Sequence, residues 1–246
     1  MSKNLVPNKR DLIEIFKKHN WKENNLNRKV KSTKTVKHSL IYKNNELSKD
    51  VNFYYLDKKS VDNFDLNGNL IESLSFDNRG VRTTLLIPSY DSRSYATNFK
   101  FYDNKDCLMT KCSFEHLENG NTIEKWDSGG KDIIKYNLEK NRIEKYHYFH
   151  DGSLNWKEIY TYFNDSNLIE WSFFDGYTRM KTISFTDTFG NVIIDNEYDN
   201  NENILKKIKY DYKLDENKNW IEKKEFLIEN NIEIPKTIFE REIKYY

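Results

Sequence analysis

Carboxylates are the first residues to weigh for chemistry, because the chain carries 39 Asp and Glu among 246 residues. Two of them at a suitable separation are the machinery of glycoside hydrolysis. Here most stand where a turn would need them, so no pair is singled out by its spacing. His147 and His150 are three apart, which on a strand sends them to opposite faces rather than onto one metal. His38 and His116 have no partner nearby in sequence. Cys107 and Cys112, five apart on one expected strand, also point to opposite faces and frame neither a disulfide nor a metal site. No Gly-x-Ser-x-Gly elbow, phosphate loop or dinucleotide fingerprint is present. The expectation is a protein that is not an enzyme and needs no cofactor or metal.

The other chemistry open to this chain is contact through aromatic rings. Aromatic residues make up 15% of it, with 17 Tyr. In mid-chain a set of rings departs from the parity of its neighbours. Tyr146 and Tyr148 oppose Ile143 and Phe149; Trp156, Tyr160 and Tyr162 oppose Ile159 and Phe163; Trp171 and Phe173 oppose Leu168 and Phe174. If the second residue of each comparison lies on the buried side, these seven rings form an exposed patch. Such patches are binding surfaces. Coverage of both sheet faces in this region is the alternative.

The elements that would position these rings are legible as a ladder. An aromatic residue followed by Asp, Asn or Glu recurs at Phe64-Asp65, Phe76-Asp77, Tyr90-Asp91, Tyr102-Asp103, Phe163-Asn164, Phe174-Asp175 and Tyr198-Asp199, among others. Turn sequences such as Asn67-Gly68-Asn69, Asp151-Gly152 and Asn217-Lys218-Asn219 follow, residue types that tolerate the positive φ of tight reversals. Between turns the apolar residues alternate, as in Leu70, Leu74 and Phe76, which predicts one buried face. The spacing is too short for helical crossovers, so the sheet should be antiparallel. Pro88 should mark an edge, bulge or longer loop near 86–94. A helix is expected over 11–19, where Leu12, Ile15 and Phe16 share a face, and irregular chain over most of 22–50.

Composition bounds the rest. The chain is 37% hydrophobic and 32% charged, with a mean hydropathy of -0.91, so an ordered chain of this kind should have a thin core. The formal net charge of +1 hides a basic first fifty residues and an acidic remainder, a split that could serve an anionic partner or simply face water. Neither a secretory leader nor an apolar run long enough for a transmembrane helix is visible. A cytoplasmic location is expected from that.

The unit Phe64-Asp65-Leu66-Asn67-Gly68-Asn69-Leu70, repeated as Tyr198-Asp199-Asn200-Asn201-Glu202-Asn203-Ile204, resembles the tyrosine-aspartate repeats of bacterial Rhs-type proteins and, more loosely, MORN-like repeat proteins. The resemblance covers roughly 51–246. It implies an all-β, elongated, twisted antiparallel meander of β-hairpins with a short N-terminal helix, residues 1–50 being a basic cap and 51–246 the repeat domain. It also implies a protein-binding module, an immunity or adaptor protein for a bacterial toxin or effector. The binding residues would be Tyr146, Tyr148, Trp156, Tyr160, Tyr162, Trp171 and Phe173. Carbohydrate recognition on the same rings is the alternative; nucleic acid is not expected, because the repeat region is net acidic.

Overall fold

The computed structural model describes residues 26–43, 46–49, 59–137, 139–163 and 168–246. They form seventeen strands: β1 (Val30–Lys43), β2 (Glu46–Lys49), β3 (Lys59–Phe64), β4 (Leu70–Phe76), β5 (Arg82–Tyr90), β6 (Ala96–Tyr102), β7 (Leu108–His116), β8 (Thr122–Trp126), β9 (Lys131–Asn137), β10 (Arg142–Tyr148), β11 (Leu154–Phe163), β12 (Leu168–Phe174), β13 (Arg179–Thr186), β14 (Val192–Tyr198), β15 (Ile204–Leu214), β16 (Trp220–Glu229) and β17 (Ile232–Tyr245). No helix occurs among the described residues, and the helix expected over 11–19 lies outside them. Residues 30–43, expected as irregular chain apart from a strand over Ser39 to Tyr42, are strand β1 throughout.

The ladder's acidic residues do what their position predicts. One carboxylate oxygen of Asp65 accepts the amides of Asn67 and Asn69, both at 2.8 Å. Asp199 holds Asn201 and Asn203 in the same way, also at 2.8 Å. Asp77, Asp91, Asp103, Asp187 and Asp215 repeat the arrangement. Each carboxylate therefore closes its turn on backbone donors that would otherwise seek water. The residue three beyond the Asp has positive φ: Gly68 and Gly80 where glycine is present, Ser94, Asp106, Glu202 and Lys218 where it is not. This is a type I turn closed by a bulge in the left-handed conformation. Pro88 sits inside β5, opposite Phe99; the register shift between Ser89 and Tyr90 belongs to the Asp91 turn, since the same shift precedes Asp65 and Asp77 where no proline stands.

Strand pairing overturns the elongated meander. Consecutive strands from β3 to β17 are neighbours in the sheet. The order then returns to its start, because β1 pairs antiparallel with β17, Thr33 opposite Ile243, and with β3, Thr33 opposite Asp62. Sixteen strands thus make a closed antiparallel barrel, and β2 is a short hairpin arm on β1. Closure satisfies the edge amides and carbonyls that an open array leaves unpaired. It also corrects the resemblance to tyrosine-aspartate and MORN-like arrays, and with it the immunity-protein expectation. Their hairpin grammar is present, but the strands close instead of extending.

The cytoplasmic expectation falls with the fold. No helix among the described residues is long and apolar enough to cross a membrane. A closed barrel is the other structure that satisfies its own backbone in a bilayer, so lack of an apolar helix no longer argues for the cytoplasm.

The described residues fall into two compact units, one containing Thr110–Ile208 and the other the described residues from Leu26 to Met109 with Lys209–Tyr246. In the second, Leu26, Val30, Phe64 and Leu70 form a buried cluster against Leu86, Ile243 and Tyr245. Beside it, fully buried Asn219 accepts the Asn27 amide at 2.6 Å and donates to the Asn27 carbonyl and the Tyr245 hydroxyl. In the first unit, buried Cys112, Thr122, Glu124, Asp132, Ile134 and Ile143 lie on one face of β7–β10.

Candidate functional site

Cross-strand register assigns the mid-chain rings to faces. Ile143, on the packed face, stands opposite Tyr136 and Tyr160; Tyr160 stands opposite Trp171, and Trp171 opposite Thr182. A second row runs from Ile134 through Lys145 and Glu158 to Phe173 and Met180. A third joins Glu124, Asp132, His147 and Trp156. Trp156, Tyr160, Tyr162, Trp171 and Phe173 therefore share the face of Ile143. Tyr146 and Tyr148 stand opposite Ile133 and Lys131 on the reverse face. The seven rings do not make one patch.

The parity argument fails for a definite reason. Alternation shows which residues of one strand share a face, whereas register decides which faces of two strands coincide. Ile143 and Ile159 have the same parity but lie on opposite faces. Phe149 lies beyond the end of β10, its amide bonded to the Ser153 carbonyl in the turn. Phe149, Phe163 and Phe174, taken as core, end up exposed. The rings that break parity are half-buried.

These rings have contacts of their own. Trp156 stacks on His147 with centroids 4.9 Å apart and planes within 8°, and lies 6.2 Å from Phe173. Trp171 and Phe173 stack at 6.1 Å. The Tyr160 hydroxyl donates to Glu158 at 3.4 Å. Burial, with the neighbouring Glu158 charge, pushes the Tyr160 hydroxyl up to about 12. Burial also raises Tyr162. Both are neutral donors at ordinary pH.

At one end of the rows sits a buried charge network that sequence reading missed. Lys145 Nζ lies 2.8 Å from Asp132 Oδ2 and 3.0 Å from Glu124 Oε2. His147 Nδ1 hydrogen-bonds the other Asp132 oxygen. Burial alone would raise Asp132, but bonds and charge from Lys145, with further bonds from Glu124 and His147, bring it below the usual carboxylate range. For Glu124 burial outweighs Lys145, and its carboxyl is raised. The only sequence signal was parity: Lys145 and His147 alternate with Ile143.

A carboxylate-oriented imidazole is the geometry of a general base. Here one ring face is covered by Trp156, and Gly130 packs close by, where an added Cβ would meet the imidazole at 3.5 Å. The adjacent thiol, Cys112, is pushed up to about 12 by burial and by the Glu124 and Asp132 charges, the reverse of an activated nucleophile. The arrangement braces the ring row and leaves its acceptors in place. His147 and His150 do not converge, and among the described residues no cluster of His, Cys, Asp and Glu could hold a metal.

The reverse face is built differently. Lys135 and Lys157 lie 4.8 and 5.0 Å from the Tyr146 ring, and Lys131 lies 5.6 Å from Tyr148. The Tyr146 hydroxyl donates to Glu144, and burial together with that bond pushes it up to about 12.

No family model matches the chain, and no curated protein matches it. Among solved structures it is similar to a porin-like protein from Bacteroides uniformis, at 8% identity and a TM-score of 0.40, over 89% of this chain and 99% of that one.

Proposed function

We propose that the chain is a non-enzymatic binding barrel that holds a carbohydrate on the rings of β11 and β12. One observation carries this reading: Trp156, Tyr160, Trp171 and Phe173 sit on one face of two paired strands, partly exposed, with Glu158 among them. Aromatic faces supply apolar contact to a sugar ring at small entropic cost, and flanking carboxylate and hydroxyl groups bond its hydroxyls. A protein partner would need a wide contiguous patch. The division of the seven rings, five against two, supports the smaller ligand.

A glycan array probed with the intact chain, followed by calorimetry on each glycan retained, tests the reading. Trp171→Ala with Phe173→Ala should weaken binding at least about tenfold, the loss expected from removing central aromatic anchors. Tyr148→Ala, on the other face, should bind as the parent does. Failure of every glycan to bind, or equal binding by the double variant with its circular dichroism intact, sinks the proposal.

A further inference from the structure

Lys131, Lys135 and Lys157 are the residues the ring row leaves unused. They flank β10 from β9 and β11, and their ammonium groups lie near the rings of Tyr146 and Tyr148. No carboxylate pairs with any of the three among the described residues. The nearby acids are engaged elsewhere: Glu144 receives the Tyr146 hydroxyl and lies 3.7 Å from Arg142, and Glu115 pairs with Lys125 at 2.6 Å. The rings hold long, otherwise mobile side chains in place by cation–π attraction. Lys135 stands opposite Glu144 and Lys157 opposite Tyr146, so the two are separated by two strand spacings and two residues along the strand, ~12 Å, and Lys131 from Lys135 by four residues of strand, ~13 Å.

We infer that this face of β9–β11 is a docking strip for an anionic polysaccharide, one bearing sulfate or uronate groups along its length. Three unneutralised ammonium groups on a rigid sheet complement a chain of regularly spaced anions. Single-stranded nucleic acid needs free ring faces on which bases stack. Tyr146 instead has two lysines against its ring and its hydroxyl tied to Glu144, so the strip reads charge and not bases. The strip uses none of the residues of the glycan row and stands or falls separately from it.

The test is titration of the intact chain with dextran sulfate, polygalacturonate, neutral dextran, a thymidine oligonucleotide and anionic phospholipid vesicles, at low and at physiological salt. Both charged polysaccharides should bind, neutral dextran should not, and affinity should fall as salt screens the contacts. Lys131→Gln, Lys135→Gln and Lys157→Gln together should weaken binding about tenfold or more, while Trp171→Ala with Phe173→Ala leaves it unchanged. Should the triple variant misfold, Lys135→Glu alone reverses one charge at an exposed position and should weaken binding in the same direction. Undiminished binding by folded variants overturns the assignment. So does tighter binding of the oligonucleotide, or binding to anionic vesicles without binding to either soluble polysaccharide.

Discussion

Lys218 holds a backbone φ of 64°, a conformation that disfavours any residue with a Cβ. It does so because Asp215 closes the turn around it, accepting the Asn217 and Asn219 amides at 2.9 Å. Lys218→Gly should therefore raise unfolding free energy in urea by about 0.5–1 kcal/mol, the gain from removing left-handed strain less the entropy of glycine. Asn219→Ala should do the opposite. It strips three buried hydrogen bonds to Asn27 and Tyr245 and should cost about 2–3 kcal/mol. The turn carboxylates also set an acid limit. The Cys107 and Lys105 amides hold Asp103 below its ordinary 3.8, and the Asn203 side chain and amide do the same for Asp199. A carboxylate lowered on folding adds stability that is present above its unfolded pKa and lost as pH falls through the folded one. Melting temperature should thus decline on acidification below about pH 4, and less so in Asp103→Asn with Asp199→Asn. These turns were legible from the aromatic-acid spacing alone, because the carboxylate and its two amide donors are neighbours in sequence.

At the scale of the strand, what matters is which neighbours a face meets. Lys145 reaches Glu124 on β8 and Asp132 on β9, so Lys145→Met would leave two buried carboxylates without their cation. A loss of about 3 kcal/mol is expected by denaturant titration, larger than for a surface lysine. Burial also separates the cysteines: Cys112 is buried and Cys107 exposed. Iodoacetamide at mildly alkaline pH should alkylate Cys107 and spare Cys112 until the protein unfolds, as mass spectrometry of the peptides would show. Neither the charge network nor the burial of Cys112 was readable beforehand. Each depends on partners from other strands whose register no single strand states.

For the whole molecule the decisive pairing is β1 with β17. Lys34 stands opposite Glu242, their side chains 3.3 Å apart, although 208 residues separate them in sequence. Lys34→Cys with Glu242→Cys should form a disulfide on mild oxidation, since cross-strand partners fall within bridging distance. It should raise thermal stability, because the loop it closes is nearly the whole chain. An open array would keep these positions apart, and absence of the bridge under oxidising conditions would refute closure.

By itself the sequence determined the local grammar: strand, Asp-closed turn, strand, with antiparallel pairing between neighbours. Those features depend on residues within a few positions of one another, where backbone conformation and short hydrogen bonds decide. Tertiary structure alone decided three things: that the first strand meets the last, that Trp156, Tyr160, Trp171 and Phe173 share a face with Ile143, and that Tyr146 and Tyr148 do not. A strand's alternation is unchanged when its neighbour slips by one residue, yet such a slip turns every side chain to the other face. Closure, likewise, is a choice between free edges and paired ones that no single hairpin can express.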